Sequence, residues 1–150
     1  ESYMNGEYVE VAIRGLEVSD NVSLIAALPY VRELLVEKQR EMAKEGGVIM
    51  DGRDIGSVVF PHAEVKFFMT ASPEVRAQRR YKELIEKGEQ VTYEEVEANV
   101  RKRDYIDEHR ETSPLVRTSD AVLIDNGDMT VKEEVEEMLK IIRSKYESRN

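Results

Sequence analysis

The alternation of apolar runs and helix-opening signals along this chain predicts an α/β fold built on a parallel sheet. Three observations carry that prediction. Val48-Ile49-Met50, Val65-Lys66-Phe67-Phe68-Met69 and Ala121-Val122-Leu123-Ile124-Asp125 are short, mostly apolar runs, as strands covered on both faces tend to be. Ser72-Pro73-Glu74, Thr92 with Glu95, and Thr130 with Glu133 follow them as helix starts, through capping residues, a first-turn proline and capping boxes. Gly46, Gly88 and Asn126-Gly127 punctuate the alternation.

Taken in order, residues 1–22 read differently from the rest. Tyr3, Asn5-Gly6, Tyr8-Val9 and Val11-Ala12-Ile13 predict short strands around an Asn-Gly turn. No initiator methionine precedes Glu1, which leaves an earlier start open. Leu28 to Glu45 reads as a helix, with Pro29 in its first turn and Val31, Leu34, Leu35 and Met42 at helical spacing. Further helices are predicted from Ser72 to about Lys87 and from Thr92 to about His109, with a break at Ser113-Pro114. The last helix opens at Thr130 and carries Val135, Met138, Leu139 and Ile142 as its apolar stripe. The one possible domain boundary lies between residues 1–45 and 46–150.

Composition narrows the function classes. The 150 residues are the size of one domain, able to bury roughly 68–70% of the unfolded surface. With 41% hydrophobic and 35% charged residues the chain reads as globular. A net charge of -9 argues against a general nucleic-acid or membrane-surface binder, since both need a positive field. There are no cysteines, hence no disulfide framework and no thiolate metal site. No apolar run reaches membrane-spanning length and no signal peptide opens the chain, so a cytoplasmic location is expected.

The turn Asp51-Gly52-Arg53-Asp54-Ile55-Gly56 follows the first predicted strand, at the end where open parallel sheets bind ligands. Its glycines permit close backbone approach and Arg53 offers a planar fork to a phosphate, so it reads as one wall of a nucleotide site. Arg76, Arg79 and Arg80 stand at i, i+3 and i+4, where like charges cost about 0.2–0.5 kcal/mol per pair. They read either as an anion clamp or as a solvated face eased by Glu83. Arg103, Asp107 and Arg110 share one helical stripe, either holding a phosphate and a sugar hydroxyl or forming an exposed ion-pair ladder. Ser23, Arg32 and Asp54 form a third set, in which Asp54 can accept from an exocyclic amine and Arg32 can donate to the adjacent ring acceptors. Spacing alone does not bring those three together.

Other chemistries find little support. His62 and His109 are far apart and no cysteine accompanies them, against a zinc site. Ser23, Ser57 and Ser113 lack a nucleophile-elbow setting, and the tyrosines do not form a stacking platform.

Val22-Ser23, Pro29-Tyr30-Val31-Arg32, the run Asp51 to Pro61, Arg76-Ala77-Gln78-Arg79-Arg80, the run Arg103 to Arg110, Ser113-Pro114-Leu115 and Asp120-Ala121 occur here in one register. On these motifs the chain resembles the bacterial cytidylate kinases, which phosphorylate CMP and dCMP. The resemblance implies a P-loop nucleoside monophosphate kinase fold, three-layered with a parallel sheet. It implies a CMP-binding insertion in residues 1–45 and a core kinase domain in 46–150, with a lid region at about 76–92. Ser23, Arg32 and Asp54 would read the cytosine, Arg53 and Arg110 would hold the CMP phosphate, and Arg103 and Asp107 would contact the ribose. Arg76, Arg79 and Arg80 would serve ATP from the lid, and Arg53, Arg110, Arg76 and Arg80 would neutralise the transferring group. ATP and Mg²⁺ are the implied cofactors, no metal ligand is assigned within the chain, and the intact enzyme is expected to be a monomer.

Two departures from the family pattern qualify this. The P-loop pattern Gly-x-x-x-x-Gly-Lys-Ser/Thr does not occur in these residues, and Ser57 stands where the family usually has threonine. In the family register Glu1 falls inside the CMP-binding insertion, so the fold is expected to be N-terminally incomplete. A central strand between about 48–51 and 65–69 would be lacking, and the chain by itself would fold poorly and not hold ATP. The alternatives are a non-catalytic nucleotide-binding or interaction fragment, and a related small-molecule kinase of the UMP or shikimate type.

Overall fold

The computed structural model describes residues 1–147. An antiparallel hairpin of β1 (Tyr3–Met4) and β2 (Glu7–Tyr8) opens the chain, pairing Tyr3 with Tyr8. Its turn places Asn5 and Gly6 at positive φ (52° and 86°), the geometry an Asn-Gly hairpin turn demands. The strand expected at Val11–Ile13 is instead a 3₁₀ turn at Ala12–Arg14, with no partner strand among the described residues, that leads straight into α1 (Leu16–Ala26). That helix, which the strand reading of residues 1–22 overlooked, packs on α2 (Pro29–Met42) and α4 (Tyr93–His109). The helix predicted over 28–45 is therefore α2, with Pro29 in its first turn, and Gly46 follows it at φ 72°.

The segment Val48–Met50 is a correction to the sequence reading. It is irregular chain without strand pairing among the described residues, and Ile49 is 97% exposed. A strand needs a neighbour to take its backbone hydrogen bonds, and none lies alongside it here. The turn that follows closes as a single π-helical turn, Ile55–Val59, in which Val59 N donates to Asp54 O at 3.2 Å.

Among the described residues the sheet proper has two strands. β3 (Phe67–Thr70) and β4 (Val122–Asp125) pair in parallel, Phe67 opposite Val122 and Thr70 opposite Asp125. The connection between them carries α3 (Pro73–Glu86) and α4, as a parallel crossover requires. Ser72 accepts from Val75 N at the start of α3, as its sequence predicts. At the other end Glu89 N reaches Leu84 O and Gly88 N reaches Ile85 O, a Schellman closure that needs Gly88 at φ 82°. Thr92 and Glu95 close a capping box on α4; Thr130 and Glu133 do the same for α5 (Val131–Glu147). Ala77 and Leu84 of α3 and Val96 of α4 are fully buried, and with Val59, Ala71 and Ile124 they belong to the core. The result is a mixed α/β chain with a small parallel sheet. Among the described residues no helix is long and apolar enough to cross a membrane.

Candidate functional site

Two buried carboxylates organise the site, each introduced by a different element. Asp54, 3% exposed, stands at the mouth of the π turn. Asp107, 2% exposed, lies in the last turn of α4. Arg32 of α2 forms a buried ion pair with Asp54, so two of the three residues that spacing left apart do meet. The register of α2 explains how. Arg32, Val36 and Arg40 recur every four residues on one face; Val36 is buried, Arg40 Nε donates to Val59 O at 3.0 Å and Arg40 Nη2 to Val58 O at 2.7 Å. Arg40 thus clamps the π turn while Arg32 pairs with the carboxylate at its mouth. This clamp was not anticipated, although the i, i+4, i+8 spacing is readable in the sequence. Ser23, on α1, is buried at 3% exposure.

Asp107 gathers the second pair of cations. Arg53 Nε donates to its Oδ2 at 2.9 Å and Arg110 Nη1 to its Oδ1 at 3.4 Å. Arg110 is the residue that ends α4, with extended backbone, and its Nε donates to Ser113 O at 2.7 Å. Ser113 takes φ 53° and Leu115 N bonds Asp107 O at 2.7 Å, folding the Ser113-Pro114 break back against the helix end. Arg103 shares the stripe of Asp107 but takes another partner, Ser19 Oγ of α1, at 2.9 Å.

The electrostatics follow from this arrangement. Four guanidiniums face two carboxylates, a local positive excess inside a chain of net charge -9. Burial and then the Arg32 cation push the Arg110 guanidinium down; burial and then Arg53 do the same to Arg103. Arg32 Nε, Arg103 Nε and Arg110 Nη2 are buried without a hydrogen-bond partner. Buried donors in native proteins are normally paired, and three unpaired donors in one cluster of excess positive charge suit an anionic ligand with several oxygens. By contrast, the groove lined by Asp125, Asp128, Glu133, Glu136 and Glu137 is acidic and shares no residue with this cluster.

The glycines of the turn work differently from the sequence reading. A Cβ on Gly52 would meet Ile55 Cγ1 at 2.9 Å, and one on Gly56 would meet Lys66 Cδ at 3.3 Å. Both make room for protein side chains. Lys66 is itself buried, donating to Pro61 O at 2.6 Å and pairing with Asp120 at 2.8 Å, so it braces the far end of the turn.

The three arginines of α3 stand apart from the carboxylate pair, each engaged with protein. Arg76 binds Asp104 in bidentate fashion at 2.8 and 2.6 Å, which raises its own affinity for the proton, and its Nε reaches Ala71 O. Arg79 Nη2 donates to Asn126 O at 2.6 Å and to Gly127 O at 3.2 Å. Arg80 pairs with Glu83 at 2.7 Å and also reaches the Arg14 carbonyl.

The family model for cytidylate kinase matches residues 1–144. A cytidylate kinase of Parabacteroides distasonis is 58% identical over 134 residues, covering 89% of this chain and 58% of its own. One from Bacteroides thetaiotaomicron is 52% identical over 136 residues, covering 91% and 59%. One from Flavobacterium johnsoniae is 54% identical over 142 residues, covering 95% and 62%. The chain thus spans about three-fifths of the length of the relatives it matches. With the arginine cluster in place and the match running from Glu1 to Ser144, the chain belongs to the cytidylate kinase family.

Proposed function

We propose that this chain forms the acceptor side of a cytidylate kinase, holding CMP or dCMP for conversion to CDP or dCDP. The observation that carries the proposal is the set of unpaired guanidinium donors around Asp54 and Asp107. In this reading Asp54 accepts from the cytosine amine, Arg32 and Ser23 complete the contacts to the base, and Arg53 and Arg110 bind the phosphate. Arg103 and Asp107 hold the ribose. Phosphoryl transfer asks mainly for positioning and charge neutralisation, and this arginine-lined site contributes both without a nucleophile.

ATP with Mg²⁺ supplies the γ-phosphoryl group when bound. Among the described residues no three histidine or carboxylate side chains are grouped to hold a metal ion, and no step is assigned through one. Arg76, Arg79 and Arg80 are assigned to the ATP side, with residues 76–92 as the lid of a P-loop nucleoside monophosphate kinase fold. Residues 1–45 are the CMP-binding insertion and 46–150 the core. For the intact enzyme we propose a cytoplasmic monomer.

CDP formation from ATP and CMP by the full-length gene product tests this reading, with UMP and shikimate as competing acceptors. Preferred transfer to UMP or shikimate would overturn it. For the 150-residue chain by itself the expected result is no transfer from ATP, because the P-loop pattern does not occur in its sequence.

A further inference from the structure

Arg103 has an unusual setting among the site's arginines. Its guanidinium is half-buried, yet Nη1 donates to a neutral hydroxyl, Ser19 Oγ, at 2.9 Å. Arg32, Arg53 and Arg110 all pair with a carboxylate. Burial and the nearby Arg53 cation work against its charge, Asp107 and Asp104 favour it from further off, and the hydrogen bond that directs the guanidinium goes to Ser19 Oγ.

The residues behind Ser19 supply that direction. Ser19 Oγ donates to Asn99 Oδ1 at 2.9 Å, and Asn99 Nδ2 donates to Asp20 Oδ1 at 2.7 Å. Ser19 and Asn99 are each 7% exposed. An ionised carboxylate only accepts, so Asp20 draws the NH₂ end of the Asn99 amide toward itself. The Asn99 carbonyl must then face Ser19, whose single proton is used on it. The lone pairs left on Ser19 Oγ face Arg103, so the polarity of the whole chain is set from Asp20. Asn99 also precedes Arg103 by four residues on α4, which puts both on the face toward α1.

We infer that Asn99 is a positioning residue for Arg103, holding its guanidinium toward the ribose of CMP through Ser19; this rests on the ribose assignment proposed above. A residue that merely fastened α1 to α4 would lower stability and would weaken ligand binding whether or not Arg103 were present. A positioning residue acts only through the group it positions.

The test is a calorimetric titration of the protein with CMP. Asn99→Ala and Ser19→Ala are each expected to weaken binding by about fivefold to tenfold, one hydrogen bond's worth. Ser19→Thr keeps the hydroxyl and should stay within about twofold of the parent on the same scale. In an Arg103→Ala background, Asn99→Ala should add no further loss. A loss of the same size in that background, or a Ser19→Thr as weak as Ser19→Ala, overturns the inference. If Arg103→Ala itself leaves CMP affinity unchanged, the ribose assignment fails instead, and the network is then judged by a measurement that needs no nucleotide. Proton exchange at the Arg103 guanidinium, followed by NMR in arginine-labelled protein, should quicken in Asn99→Ala and hold in Ser19→Thr. Unchanged exchange in Asn99→Ala overturns the inference on its own.

Discussion

Arg53 Nε and Asp107 Oδ2 meet at 2.9 Å across 54 positions of sequence, joining the turn after residue 50 to the far end of α4. Asp107 also holds Arg110, so one buried carboxylate sets the separation of the two cations proposed for the CMP phosphate. Shared acceptors of this kind make charge removal costly, because the cations left behind remain partly desolvated.

Asp107→Asn is therefore expected to destabilise the fold by about 3 kcal/mol, the order seen when one partner of a buried pair is removed. The Arg110 side chain, 3% exposed, has little access to water in exchange. Urea unfolding of parent and variant measures the difference. A loss within about 1 kcal/mol, as for an exposed pair, would mean that Asp107 does not hold the cations together.

Arg110→Ala should raise the KM for CMP about tenfold or more, since a hydrogen bond from a charged group is lost, while the KM for ATP stays close to the parent's. Steady-state kinetics on the full-length gene product read both values. Equal losses for CMP and ATP would count against placing Arg110 on the acceptor phosphate.

Asp54→Asn replaces a pure acceptor by a group that also donates, matching the O4 of uracil as well as the N4 amine of cytosine. The ratio of kcat/KM for CMP over UMP should fall by about tenfold. Because the buried Arg32–Asp54 pair also supports the turn, absolute activity falls too, and the ratio is the diagnostic quantity. A variant that loses activity on both nucleotides at an unchanged ratio would remove Asp54 from base recognition.

The Lys66 ammonium, 2.8 Å from the Asp120 carboxylate, holds that carboxyl down at about 2, below its ordinary 3.8. The folded-state value lies below the unfolded one, so this stabilisation is whole above about pH 4 and is lost as the pH falls toward 2. Thermal melts between pH 5 and pH 2 should show a smaller decline for Asp120→Asn than for the parent protein. Parallel declines would show that the Lys66 brace does not depend on this charge.

Local chemistry made much of the fold legible in advance. The capping boxes at Thr92 and Thr130, the Ser72 cap and the Gly88 stop involve neighbours within a few residues, and each appears where its sequence places it. The Asn-Gly hairpin is equally local. Two misreadings have a common cause. Val11–Ile13 and Val48–Met50 have strand-like composition, but pairing depends on a partner elsewhere in the chain, and neither finds one among the described residues. The opposite error hid α1, whose mixed sequence follows a hairpin and is held as a helix by packing on α2 and α4.

The same division runs through the site. The sequence by itself determined which residues were available: the Asp51–Gly56 turn, the Arg103–Arg110 stripe, and the motifs that tie this chain to its family. Which of them touch was decided only by tertiary structure. Arg32 meets Asp54 because α2 packs on the π turn through Val36 and Arg40. Asp107 takes Arg53 from a distant turn, while Arg103, on its own helix face, turns to Ser19. Helical spacing offers a side chain several partners at similar cost; the packing of α1, α2, α4 and the π turn then decides which of them lie within reach.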